Sequence, residues 1–132
     1  MKVKYVVPAA LVLFLAGTAF AQAPAAAPAA PSVKLTGFAA WSKVMGNTVS
    51  GKVDGKDLVE YYTNDGVAKH LEGGSKISTG KWVLEGNNVC FMYPGAGKEC
   101  YVIEVMDDIA TYTSKTHGGF RVTIVPGNPN KL

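Results

Sequence analysis

The sequence predicts a mainly β domain: an antiparallel meander of about eight short strands, closed as a small barrel or rolled as a curled sheet, preceded by one short helix. Three observations carry this expectation. Short runs rich in Val, Ile, Thr, Tyr and Phe recur through the second half of the chain, and such residues suit a half-buried pleated surface. Gly, Asn and Asp clusters separate the runs at intervals of roughly 8–12 residues, the spacing of an all-β sandwich or barrel. No strand–helix–strand pattern occurs that would call for a parallel sheet.

The chain begins with an export-type leader. Lys2 and Lys4 precede an apolar run from Val6 to Ala19 that is interrupted by Pro8, and Ala19-Phe20-Ala21 supplies the small residues of a cleavage site. The run is shorter than the roughly 20 apolar residues a spanning helix needs. Cleavage after Ala21 is expected, with no membrane anchor afterwards and a periplasmic or secreted product. Gln22–Ser32 carries three prolines, no charge and no aromatic residue, and reads as a semi-rigid linker. Residues 33–132 remain for a single β domain with one core.

Thr36 stands as an N-cap, and Phe38, Trp41, Val44 and Met45 fall on one helical face before Gly46. A helix over Gly37–Met45, docked by Phe38 and Trp41, follows. The expected strands are Thr48–Val53, Asp57–Thr63, Val67–Leu71, Lys76–Leu84, Val89–Tyr93, Lys98–Val105, Ile109–Ser114 and Phe120–Val125. Asn64-Asp65-Gly66 is the strongest hairpin signal, because these residues tolerate the positive φ of tight turns. Pro126–Leu132 is an irregular tail.

Cys90 and Cys100, the two cysteines, flank the Pro94–Gly97 turn at comparable distances. An even count in an exported domain predicts a disulfide facing across a hairpin, where it would hold the strand register. Nine intervening residues and a strand setting argue against thiol redox chemistry, which favours Cys-x-x-Cys at a helix start.

The formal net charge is +3, and it falls to +1 without Lys2 and Lys4. No basic run occurs, which disfavours nucleic acid as a partner. His70 and His117 stand alone in sequence, without metal-ligand spacing, and both read as solvated turn residues along with Asp107-Asp108; no metal or cofactor is expected. His117, beside Gly118-Gly119, stays a candidate because loop tips often carry binding residues. No Gly-x-Ser-x-Gly elbow accompanies Ser114, His117 and Asp108. Glu60, Glu85, Glu99 and Glu104 could supply paired carboxylates, but their pairing cannot be read from spacing. Gly95-Ala96-Gly97 leads into a strand and not a helix, so it lacks the context of a dinucleotide fingerprint.

Aromatic residues are the most suggestive set. Neighbours such as Tyr61 and Tyr62, or Trp82 and Val83, must point to opposite faces of a strand. Some large side chains therefore lie on the outer face or in a cavity, and Trp82, Tyr61, Tyr62, Tyr93, Tyr112 and His117 are the candidate ligand or partner contacts.

Gly80-Lys81-Trp82 resembles the Gly-x-Trp of lipocalins, although there it belongs near the first strand and here it falls mid-domain. The ordered set Gly46-Asn47-Thr48, Tyr61-Tyr62 with Asp65-Gly66, Gly80-Lys81-Trp82, Val89-Cys90-Phe91 and Cys100 resembles small exported bacterial proteins of the domain-of-unknown-function 995 family, over most of Thr36–Val125. That resemblance implies export and a small β domain, and it brings no catalytic residues. The spacing of glycine and aromatic residues is also similar to MORN-type hairpins. The leading functional expectation is a non-enzymatic binding module for a small apolar ligand, an envelope component or a protein partner, as a monomer or weak dimer. The runner-up is a stress-protective or inhibitory envelope protein similar to small disulfide-bearing β-barrel protease inhibitors, which would use Gln22–Ser32 as the inserted segment. An unrecognised hydrolase is third.

Overall fold

A computed structural model describes residues 30–132, and Pro31–Leu132 forms one compact unit. The leader, its cleavage site at Ala19 and Ala21, and residues 22–29 of the linker lie outside the described residues.

Nine strands and one helix follow in order: β1 (Leu35–Thr36), α1 (Gly37–Val44), β2 (Thr48–Val53), β3 (Lys56–Tyr62), β4 (Val67–Glu72), β5 (Lys76–Glu85), β6 (Asn88–Met92), β7 (Lys98–Met106), β8 (Ile109–Ser114) and β9 (Gly118–Val125). From β2 to β9 every strand pairs antiparallel with the next, and β9 pairs back onto β2 from Thr48↔Val125 to Gly51↔Val122. The sheet is thus a closed eight-stranded meander barrel. Closure removes free sheet edges. The two-residue β1, not foreseen from the sequence, lies along β7 at Leu35↔Val105 and Thr36↔Glu104.

Alternation sets the interior. In β5, Gly80 and Trp82 are buried, while Lys81 and Val83 face outward. In β6, Val89 and Phe91 point inward, with Cys90 on the opposite face. Cys90 sits directly opposite Cys100 in the β6–β7 ladder, and the two form a disulfide at a Cα–Cα distance of 4.0 Å.

The helix caps one end. Gly37, Ala40, Trp41 and Val44 are its buried residues, and it packs against β7, β6 and β1. Trp41 enters the barrel against Tyr62, Trp82 and Phe91, with ring centroids 5.0, 5.1 and 5.9 Å away. The expected docking by Phe38 is corrected: Phe38 is 64% exposed. The buried stripe is centred on small residues, which let the helix backbone approach the strands, and at 100° per residue Phe38 falls roughly 110° from that centre. Thr36 occupies the N-cap in an extended conformation but makes no side-chain cap bond. Gly37 has φ +56°, and a Cβ there would meet Asn87 Oδ1 at 3.0 Å.

The helix end is tied to the strands by backbone bonds from Gly46 N to Tyr62 O (2.7 Å) and from Tyr62 N to Asn47 O (3.3 Å). The tail docks at the same end. Gly127 N donates to Asn47 Oδ1, and Thr48 Oγ1 donates to Gly127 O, each at 2.8 Å. Leu132 is buried, with Asn128 bonded to its backbone through both amide atoms.

Candidate functional site

With Trp41, Tyr62, Trp82 and Phe91 filling the helix end, the distinctive chemistry lies at the other end. That end carries the β2–β3, β4–β5, β6–β7 and β8–β9 turns. On β3, alternation places Leu58, Glu60 and Tyr62 on the inner face, so a glutamate sits between two core residues. Its side chain is only 12% exposed. A buried carboxylate is costly unless its oxygens are satisfied.

Two phenols satisfy them by hydrogen bonds, and an imidazole stands in contact beside them. The Tyr62 hydroxyl donates to Glu60 Oε2 in a short hydrogen bond. The Tyr93 hydroxyl, from the end of β6, donates to Oε1 at 3.1 Å. His70 on β4 is the direct cross-strand partner of Glu60, and its Nδ1 lies 3.2 Å from Oε1. The imidazole also meets the Tyr93 ring edge-on, with centroids 6.3 Å apart.

Gly80 makes the Tyr93 position available. A Cβ at Gly80 would lie 2.6 Å from both Met92 O and Tyr93 Cδ1. The Tyr93 ring therefore lies against bare backbone of β5, which is the use of a strand glycine where another group must approach closely. The Gly80-Lys81-Trp82 segment accordingly has two structural tasks. Gly80 seats Tyr93, and Trp82 packs against Trp41 while its indole N–H donates to Thr63 O at 2.9 Å.

A cavity of about 190 Å³ opens beside Glu60. Val53, Leu58, Phe91, Tyr93, Tyr101 and Phe120 line its walls, Ala96 and Gly97 its rim, and Glu60, Tyr62 and Glu99 add polar atoms. An eight-stranded barrel is just wide enough for side chains to fill it or for one small ligand to enter. Here the helix end is filled and the far end is not. A second, lateral cleft lies beyond His70. The β3–β4 ladder runs only from Tyr62↔Ala68 to Glu60↔His70, and below that pair the strands part around a cleft lined by Leu58, Val59, His70 and Leu71. The Glu60–His70 pair thus stands at the fork, between the barrel mouth and the lateral cleft.

The phenols stay protonated far above neutrality. Burial, then the Glu60 charge, pushes Tyr62 and Tyr93 well above the ordinary tyrosine value. Burial also raises Tyr112, partly offset by Tyr62 beside it, with Glu60 adding a smaller rise. Tyr101 is pushed up to about 12, by burial first and then by Glu99 and Glu60. These hydroxyls can donate to a carboxylate or a ligand but cannot act as bases near pH 7.

The sequence candidates divide as follows. Tyr62 and Tyr93 line the cavity. Tyr112 lies behind it, stacked on Phe120 with centroids 5.0 Å apart, and its hydroxyl faces Tyr62 without a well-formed hydrogen bond. Trp82 belongs to the helix-end core, and Tyr61 lies on the outer face opposite Lys69 and Thr48. His117 sits in the β8–β9 turn, 53% exposed, with Nε2 3.5 Å from Glu99 Oε2. The reading of His70 as a solvated turn residue is corrected: it lies in β4, and the ladder turns its ring toward Glu60. Glu60 and His70 as a pair were missed. The signal for them was parity, since each falls two residues from a core position, Tyr62 or Ala68.

The arrangement can bind a hydrogen-bond donor at Glu60 and can hold an oriented imidazole. No serine, threonine or cysteine lines the mouth among the described residues. Glu85, Cys90 and Cys100 form the one close cluster of metal-ligand types among the described residues, and the disulfide occupies both sulfurs. No family model matches the chain, and no curated protein or solved structure is significantly similar to it.

Proposed function

We propose that this protein is an exported, non-enzymatic binding module that takes a small ligand into the mouth of its barrel. The observation that carries the reading is the asymmetry of the barrel: one end is filled by Trp41 and its aromatic neighbours, whereas the other holds an aromatic-walled cavity beside Glu60. Binding pockets are typically concave, mostly apolar and furnished with a few placed polar groups. The volume, about 190 Å³, lies below the roughly 300–1,000 Å³ of drug-sized sites and suits a smaller molecule. Export is supported by the Cys90–Cys100 disulfide, because such bonds persist in oxidising compartments. A binding role is favoured over hydrolysis because the mouth offers an oriented carboxylate and phenol donors but no hydroxyl or thiol nucleophile of the usual kind among its described lining residues.

The test is a thermal-shift and calorimetric screen of small metabolites against the disulfide-bonded chain, paralleled by Ala96→Trp. Ala96 is an exposed rim residue, so the indole would block the mouth without entering the core. The expected result is a saturable ligand whose stabilising effect is lost in the blocked variant. A ligand that stabilises both forms equally, or a screen without any hit at the mouth, would overturn the reading.

A further inference from the structure

We infer that the mouth selects a compact organic cation, an alkyl- or arylammonium group, over neutral and anionic molecules of the same shape. The inference rests on the binding-module reading above and specifies its ligand class.

Charge is the first argument. The residues lining the cavity include two carboxylates, Glu60 and Glu99, and no lysine or arginine. Lys98 adjoins Glu99 in sequence, but its ammonium is engaged 2.7 Å from Glu85 Oε1 on the outer face. The groups beside the two carboxylates are imidazoles and not lysine or arginine: His70 behind Glu60, and His117 at the rim beside Glu99. An anion entering the mouth would meet two carboxylates with no fixed cation to offset them.

The walls are the second argument. Phe91, Tyr93, Tyr101 and Phe120 surround the space. Aromatic faces carry negative quadrupole potential and attract ammonium groups, most strongly when water is excluded. Neutral apolar ligands gain from such walls only by burial, whereas a cation gains by burial, by the ring faces and by the carboxylates.

Preorganisation is the third. Tyr62 holds Oε2 and Tyr93 holds Oε1, so the Glu60 carboxylate is oriented before any ligand arrives. A carboxylate has about four acceptor sites. The two hydroxyls and the imidazole contact leave acceptor capacity on Oε2, the oxygen that His70 does not face. The cavity is too small for a lipid tail, which restricts the ligand to a compact head.

Isothermal calorimetry with three probes of similar size tests this: choline, its uncharged isostere 3,3-dimethylbutan-1-ol, and the anion pivalate. The expected order is choline at least tenfold tighter than the alcohol, with no pivalate binding. Glu60→Gln should weaken choline at least tenfold and the alcohol by a clearly smaller factor, so that the preference for choline over the alcohol falls. Glu99→Gln, at a partly exposed rim position, provides the same comparison should the buried substitution impair folding, with a several-fold loss expected. Equal binding of choline and the alcohol, or preferential binding of pivalate, would overturn the cation assignment while leaving the binding module standing. Failure of all three probes would overturn the cation assignment; the screen against the Ala96→Trp variant then decides the binding module independently.

Discussion

At the scale of single residues, the buried charge of Glu60 organises its surroundings. Tyr62 is fully enclosed, and its hydroxyl donates to the carboxylate. Hydrogen bonds to charged groups contribute about 1.5–3 kcal/mol each. Tyr62→Phe should therefore lower the urea-unfolding free energy by about that amount, with an unchanged m-value. The raised phenol pKa values also set the behaviour in alkali. A phenol whose folded pKa is raised holds its proton more tightly in the fold than in the unfolded chain. Its contribution is complete below the unfolded value of about 10 and is lost as pH rises from there toward the folded value. For enclosed residues such as Tyr62 and Tyr112 the slope is about 1.4 kcal/mol per pH unit each. Ultraviolet titration should show Tyr101 ionising near 12, and Tyr62, Tyr93 and Tyr112 ionising only together with loss of near-ultraviolet circular dichroism. Stepwise ionisation of all tyrosines in the intact fold would contradict the enclosure described for them.

Among the elements, α1 and the β6–β7 hairpin make separable contributions. Trp41 is fully buried at the centre of the helix-end cluster, although its Nε1 has no hydrogen-bond partner among the described residues. Trp41→Ala should cost about 3–5 kcal/mol. Phe38→Ser, on the exposed side of the same helix, should change stability by less than about 0.5 kcal/mol. Denaturant titration of the two variants compares the burial of these helix positions directly; equal losses would contradict it. The Cys90–Cys100 bond spans a sequence separation of 10. Chain-entropy reasoning gives about 3 kcal/mol for a loop of this size. For a domain of about 100 residues, reduction should then lower Tm by roughly 10–20 °C, measurable by calorimetry with and without reductant. Both halves of this hairpin were legible beforehand. Alternation and the Pro94–Gly97 turn already placed the cysteines opposite one another, and the register pairs them directly. The helix face was harder to read. Phe38 drew attention by size, whereas Gly37 and Ala40 decide the packing because they bring the backbone close to its neighbours.

For the whole molecule, closure is the decisive feature, and Gly51 sits at the seam between first and last barrel strands. A Cβ there would lie 2.9 Å from Val122 Cγ1 and 3.0 Å from Arg121 O. Gly51→Val should destabilise by about 1–3 kcal/mol through overpacking. Hydrogen exchange should then rise first along β2 and β9, while amides of the β6–β7 hairpin stay protected; uniform loss of protection would show that the seam is not locally weakened. The same scale explains what sequence could and could not reveal. The positions of β2 to β9, their turns, the disulfide and the fact that neighbouring side chains take opposite faces follow from local rules: period-two alternation, the backbone freedom of Gly and Asn, and hairpin symmetry; which member of a pair such as Tyr61 and Tyr62 turns inward does not. The choice between barrel and curled sheet does not, because it depends on β9 returning to β2 across most of the chain. Nor does the Glu60–His70–Tyr93 assembly, whose members come from three strands and meet only through ladder register and the bare backbone at Gly80. Period-two alternation within β3 puts Glu60 on one face with Leu58 and Tyr62; that this face lines the cavity of a closed barrel comes from long-range pairing, because only closure brings distant strands around one enclosed carboxylate.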